Sequence, residues 1–247
     1  MTPRIARSAA AALIGDELLS GKISEQNLVA LARTLRALGI SLGRAVLLPD
    51  DVATIAEEVR GLSADYDVVF TSGGIGPTHD DKTIEGVARA FGVDASIDPS
   101  LATLLRKTYG ERCTDAHLRM ALVPDGAELL TTTEILWPTI VMRNVWVLPG
   151  VPEIFRMKLS VVRAWVSGPR PFLSKAVFTN LEEPELKPLL DEIVEAHAAV
   201  HVGSYPKWFD ASYKTKITFD SDDEASIDAA IARFLELLPD GEPQRVE

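Results

Sequence analysis

The chain has 247 residues, of which 47% are hydrophobic and 25% charged, a composition typical of globular proteins and not of disordered ones. Acidic residues outnumber basic ones 36 to 25, and the net charge of -11 argues against a nucleic-acid partner. One cysteine excludes an intrachain disulfide and a multi-cysteine metal site, so we expect a reducing compartment, the cytoplasm.

The N-terminal segment contains two arginines followed by the run SAAAALIG. The apolar run is short and meets Asp16 and Glu17 at once, so it predicts a strand and not a signal peptide. Nowhere does an apolar stretch approach the roughly 20 residues that a membrane-spanning helix needs. We therefore expect no membrane association.

Buried-strand and amphipathic-helix patterns alternate along the first part of the chain. Such alternation predicts a parallel sheet with helices on both faces, because right-handed crossovers place the helices there. The predicted strands are 9–14, 45–48 and 66–70, and the predicted helices are 24–38, one capped by Asp50 or Asp51, and 84–91.

The second part of the chain continues with a helix near 101–109, a region of strands and turns, a strand over 145–148 and a helix that Pro152 begins. The segment SGPRP, residues 167–171, cannot sustain a regular element and predicts a linker. We thus expect a first domain over 1–168 and a small α+β domain over 172–247.

The segment SGGIGPTHDD follows the third predicted strand, at the edge of the sheet where α/β proteins bind ligands. Gly73, Gly74 and Gly76 allow main-chain N–H groups to approach an anion such as phosphate. The spacing is neither the dinucleotide fingerprint nor a P-loop. Asp80 and Asp81 indicate either a divalent cation between carboxylates and phosphate or hydrogen bonds from a heterocycle.

A second interpretation of this turn is purely structural: Thr78 and Asp81 would cap a helix and the glycines would only turn the chain. Asp16 and Glu17 favour the functional interpretation, because they follow the first strand and are expected at the same edge of the sheet. His79 is a candidate proton relay, since its ordinary pKa lies near neutrality.

Three motifs, GDELLSGKISEQN, TSGGIGPTHDDKTIEGVARAFG and VLPGVPEIFRMKL, occur in this order. Together they closely resemble the molybdopterin-binding (MoaB/Mog-like) domain at the N-terminus of competence/damage-inducible CinA proteins and of eukaryotic FAD synthases. The segment VGSYPKWFDASYKTKITFD is similar to the region that follows this domain in the FAD synthase type. The resemblance implies a three-layer α/β fold with a mostly parallel sheet, followed by the small α+β domain.

The resemblance also implies a set of site residues. Asp80, Asp81 and His79 are the expected catalytic residues, and Asp80 and Asp81 are joined by Asp16 and Glu17 as expected metal ligands. The expected ligand-binding residues are Gly73, Gly74, Gly76, Thr78, Thr83, Asn27, Pro149 and Gly150.

Two functions are compatible with this resemblance. One is hydrolysis of the pyrophosphate bond of a nucleotide such as FAD or ADP-ribose, dependent on Mg²⁺, Mn²⁺ or Co²⁺, with K⁺ as a further candidate ion. The other is non-catalytic binding of molybdopterin or a nucleotide, linked to molybdenum cofactor metabolism. A chain of this length has no room for the deamidase domain of CinA proteins or the adenylyltransferase domain of FAD synthases. A homo-oligomer is expected by resemblance, and Trp208 is a candidate stacking surface for the ligand's ring.

Overall fold

A computed structural model describes residues 3–135, 137–207 and 212–247. The chain divides into two compact units, Met1–Pro169 and Arg170–Glu247. Trp208, the candidate stacking residue, lies outside the described residues. No helix in the described ranges is long and apolar enough to cross a membrane.

Strands and helices alternate through most of the first unit. Its strands are β1 (Arg4–Ile5), β2 (Ser8–Ile14), β3 (Ser41–Leu48), β4 (Val68–Ser72), β5 (Ala95–Ile97), β6 (Leu122–Pro124), β7 (Glu128–Leu130), β8 (Thr139–Met142), β9 (Val145–Leu148) and β10 (Val166–Ser167). Its helices are α1 (Asp16–Leu19), α2 (Asn27–Ala37), α3 (Val52–Asp65), α4 (Thr83–Phe91), α5 (Pro99–Tyr109), α6 (Asp115–Arg119) and α7 (Pro152–Trp165), with a 3₁₀ turn at Gly110–Arg112.

The main sheet has six strands in the order β3-β2-β4-β9-β8-β7. β3, β2, β4 and β9 run parallel, and β8 and β7 are antiparallel additions at one edge. Since β8 is antiparallel to β9, the start of β8 lies at the same edge of the sheet as the ends of the parallel strands. The loops after β2, β3, β4 and β9 therefore meet there with the segment that enters β8.

Helices cover both faces of this sheet, and β2 shows why. Ala10 and Ala12 face the core that α3 and α4 complete, whereas Ala9 and Ala11 face the core that α2 and α7 complete. A strand buried on both faces is a continuous apolar run, and its small side chains let the helices pack closely. The expected three-layer, mostly parallel α/β fold is confirmed.

The second unit pairs an antiparallel sheet with two helices. Its sheet has four strands in the order β12-β13-β11-β14, and a single hydrophobic core lies between this sheet and the helices. The expected small α+β domain is thus also confirmed. Its elements are β11 (Leu173–Thr179), α8 (Glu183–Ala196), β12 (His201–Pro206), β13 (Thr215–Ser221), α9 (Glu224–Leu237) and β14 (Arg245–Val246).

Candidate functional site

A cavity of about 870 Å³ lies at the carboxyl edge of the main sheet, where ligands bind in open α/β sheets. The loops after β2, β4 and β9 contribute to its wall, together with the start of α2. Among the residues expected at the site, those that line the cavity are Glu17, Asn27, Gly73, Gly74, Gly76, Asp81, Pro149 and Gly150.

The glycines after β4 are required by the backbone they adopt. Gly73 has φ +102°, and a Cβ atom there would overlap the carbonyl oxygen of Ile14 at the end of β2. Gly74 has φ +64°, and its Cβ would overlap the hydroxyl of Thr83. Residues other than glycine rarely adopt such φ values. The turn therefore brings its main chain closer to β2 and α4 than any side chain would permit.

Thr83, at the start of α4, fixes this turn. Its hydroxyl donates to the carbonyl of Gly73 at 2.7 Å, and its N–H donates to the carbonyl of Gly74 at 2.9 Å. Within the described ranges, the N–H groups of Gly74 and Ile75 have no hydrogen-bond partner. Because both residues line the cavity, these N–H groups are available to a ligand anion.

Asp81 closes the rest of the loop. Its Oδ1 accepts from the N–H of Gly76 at 2.6 Å, and its Oδ2 accepts from the N–H and the hydroxyl of Thr78 at 2.7 and 2.5 Å. The N-terminal cap of α4 is Lys82, which makes no side-chain capping bond. Asp81 thus closes the turn. This is similar to the structural interpretation, in which Thr78 and Asp81 only support the local backbone, but Asp81 also lines the cavity.

Asn27 connects the glycine turn to the loop after β9. It is only 4% exposed, and its Nδ2 donates to the hydroxyl of Ser72 at 2.9 Å and to the carbonyl of Gly150 at 2.8 Å. Its Oδ1 is buried and has no partner within the described residues. Asn27 lines the cavity, but its Oδ1 is closed to solvent, so the missing partner is a local cost of this connection.

Helix α7 begins at the cavity, with Val151 and Pro152 in the lining and Pro152 in the first turn. No side chain caps this helix. Its first N–H groups and the positive end of its dipole therefore form a second position at which an anion is stabilised, beside the glycine turn.

Four carboxylates cluster where β2, β3 and β4 end. The N–H of Asp16 donates to Oδ2 of Asp50 at 2.9 Å. Burial raises the pKa of Asp50, and the negative charges of Asp16, Glu17 and Asp80 raise it further. Sequence reasoning assigned Asp50 only to helix capping. The side chain that caps α3 is that of Asp51, which accepts from the N–H of Thr54.

The expected catalytic and metal residues lie at different depths. The side chain of His79 is 98% exposed and that of Asp80 is 59% exposed, and neither lines the cavity, nor does Asp16. Glu17 and Asp81 do line it. Among the described residues, no group of three or more His, Cys, Asp or Glu is arranged to hold a metal ion.

The donors near the cavity are carboxylate oxygens, the ligands of hard cations such as Mg²⁺. Mg²⁺ is usually held by one or two carboxylates together with substrate phosphates and water. Glu17, which lines the cavity, and Asp80, which like Glu17 interacts electrostatically with Asp50, are the candidate ligands in such an arrangement. They do not fit a cage built from protein atoms alone.

The cavity also has apolar side chains and one buried lysine in its wall. Its wall includes Tyr109, Met120, Ile135 and Trp137. Aromatic and methionine side chains are suited to packing against a planar ring. Lys158 also lines the cavity, is 4% exposed and donates from Nζ to the carbonyl of Trp137. Burial lowers the pKa of Lys158 to about 8.

Comparison with known proteins matches the two units separately. Residues 10–166 match the family described as a probable molybdopterin binding domain, and residues 171–247 match the FAD synthase middle domain. This chain superposes on the crystal structure of CinA, a protein of unknown function from Thermoplasma acidophilum, with a TM-score of 0.59 and 29% sequence identity. That match covers 64% of this chain and 97% of the other.

Two curated relatives extend the match across both units. A protein of Archaeoglobus fulgidus is 33% identical over 228 residues, which are 92% of this chain and 96% of the relative. A protein named probable FAD synthase, from Caenorhabditis elegans, is 28% identical over 266 residues, which are 96% of this chain and 51% of the relative. The chain thus spans about half the length of the worm protein. It belongs to the family of probable molybdopterin-binding domains and continues into a domain of the FAD synthase middle type.

Proposed function

We propose that this protein hydrolyses the pyrophosphate bond of a nucleotide such as FAD or ADP-ribose, with a divalent cation. The observation that carries the proposal is that the N–H groups of Gly74 and Ile75, which have no partner in the described ranges, and Glu17 belong to the wall of one cavity. Anion donors next to a carboxylate suit a phosphate that brings a cation with it. The likeness to a probable FAD synthase adds FAD to the candidate ligands.

In this proposal the chain positions the substrate by three sets of groups. The N–H groups of the glycine turn and of the α7 N-terminus bind the diphosphate and stabilise the charge that develops on it. Asn27 holds the glycine turn and the loop after β9 together through the two hydrogen bonds of its Nδ2. Apolar side chains of the cavity wall pack against the ring and exclude water.

Glu17 and Asp80 would hold the divalent cation, which supplies Lewis-acid polarisation of a phosphoryl oxygen when bound. Asp80 is suited to this role because hydrogen bonding within its loop and the nearby His79 lower its pKa, so it is an anion at neutral pH. Asp81 holds the turn in place, and in this proposal it positions the N–H donors instead of binding the cation.

A second candidate is a protein that binds molybdopterin or a nucleotide without turnover. It is favoured by the hydrogen bonds that occupy both oxygens of Asp81, and by the lack of a complete set of metal ligands in the described part of the chain. Both candidates use the same cavity and differ only in the chemistry at the diphosphate.

Release of AMP separates the two candidates. The purified protein is incubated with FAD or ADP-ribose and with Mg²⁺, Mn²⁺ or Co²⁺, each with K⁺, and AMP is quantified by chromatography. Hydrolysis predicts AMP that accumulates with time in the presence of a divalent cation and stops when EDTA removes it. If FAD or ADP-ribose binds and no AMP appears with any of these cations, the hydrolase proposal is wrong and the binding protein is supported.

A further inference from the structure

Lys158 is a buried cation that the proposed chemistry does not use. The residue is 4% exposed, and among the residues that the structure describes its ammonium group has no carboxylate partner. Its one hydrogen bond there is to the carbonyl of Trp137, although an ammonium group has three donors. A buried charge without a counter-charge is unfavourable, so its retention beside a cavity calls for an explanation.

Two segments of the chain place Lys158 and its hydrogen-bond partner Trp137 at the ligand cavity. Helix α7 starts at Pro152 in the cavity wall, and Lys158 follows after nearly two turns, ~9 Å along the helix axis. Trp137 precedes β8, whose start lies at the same edge as the end of β9, because Ile140 pairs with Val147. The ammonium group therefore reaches the cavity wall beside Trp137.

We infer that Lys158 binds an anionic oxygen of the ligand and makes the cavity selective for phosphorylated heterocycles over unphosphorylated ones. The two N–H donors of its ammonium group that have no partner in the described protein would then donate to the ligand. The inference rests on the proposed function, in which the cavity binds a nucleotide, and does not depend on hydrolysis.

The test compares ADP-ribose with adenosine by isothermal titration calorimetry in EDTA, where no cation-dependent turnover occurs. The parent is compared with Lys158→Met, which keeps the length of the side chain and removes its charge, and with Lys158→Arg, which keeps the charge. Lys107→Met is the matched control, because Lys107 is an exposed lysine on α5 outside the cavity wall. Thermal melts followed by circular dichroism report the folded state of each variant.

We expect the parent to bind ADP-ribose more tightly than adenosine. Lys158→Met should bind ADP-ribose at least tenfold more weakly than the parent does. Its affinity for adenosine should change less than twofold. Lys158→Arg should retain the preference for ADP-ribose, and Lys107→Met should match the parent. If Lys158 only supports the Trp137 carbonyl, Lys158→Met weakens both ligands equally, or neither, and the inference is overturned.

Two further outcomes are decisive. Equal affinity of the parent for ADP-ribose and adenosine, or no response to ADP-ribose, overturns the inference even if Lys158→Met fails to fold. The two proposals can also fail separately. If the parent releases no AMP with any cation, the hydrolase proposal fails. The inference about Lys158 is still supported if that parent binds ADP-ribose more tightly than adenosine and Lys158→Met reduces the difference.

Discussion

Gly73→Ala is expected to destabilise the first unit by on the order of 3 kcal/mol and to abolish ADP-ribose binding. The added Cβ would overlap the main-chain carbonyl oxygen of Ile14, which cannot rotate away as a side chain can, and alanine is strained at φ +102°. The turn must then move away from β2, and the N–H groups of Gly74 and Ile75 move with it.

Thermal unfolding and calorimetric titration with ADP-ribose measure the two effects. For a unit of this size, the expected destabilisation corresponds to a fall in melting temperature of roughly 6–12 °C. Gly61→Ala is the control, because Gly61 is exposed in α3 and a Cβ added there would meet no neighbouring atom. It should raise stability by about 0.5–1 kcal/mol. A Gly73→Ala protein that melts and binds like the parent would refute the role given to the turn.

Glu17→Gln is expected to lower the rate of AMP release about 100-fold at saturating ADP-ribose, since a cation at the phosphoryl group supplies several kcal/mol of transition-state stabilisation. The change removes a charge from the cavity wall and retains the size of the side chain. Asp80→Asn should act in the same direction. Asp81 is unsuitable for this test, because removing its carboxylate also removes the hydrogen bonds to Gly76 and Thr78.

Initial rates over a range of Mn²⁺ concentrations distinguish lost cation binding from a damaged fold. If Glu17 helps to hold the cation, part of the lost activity returns as Mn²⁺ is raised, and the melting temperature stays close to that of the parent. Glu57→Gln, an equal loss of charge at an exposed position of α3, should leave the rate unchanged. Equal activity of Glu17→Gln and Glu57→Gln would exclude Glu17 from the reaction.

The fold class could be predicted from the sequence because strands buried on both faces appear as continuous apolar runs. The strand expected over 145–148 coincides with β9, and Pro152 begins α7 as expected. The short helix α1 was missed, since four residues are too few to show a helical period. The expected start at residue 24 of the next helix was too early by about one turn, because α2 begins at Asn27.

The site was less predictable, because its geometry depends on contacts that are remote in sequence. Asp50 and Asp51 are indistinguishable as candidate caps, and only the pairing of Ile14 with Leu48 brings Asp50 next to Asp16. A lysine in an amphipathic helix is ordinarily exposed. Lys158 contacts the carbonyl of Trp137, and Trp137 precedes β8, which pairs antiparallel with β9.

A crystal structure of the protein with ADP-ribose, grown in EDTA so that no divalent cation is available, tests most directly whether the glycine turn binds the diphosphate. We predict that the diphosphate lies within hydrogen-bond distance of the N–H groups of Gly74 and Ile75. ADP-ribose bound with its diphosphate away from the glycine turn, or bound outside this cavity, would contradict that placement and the function proposed from it.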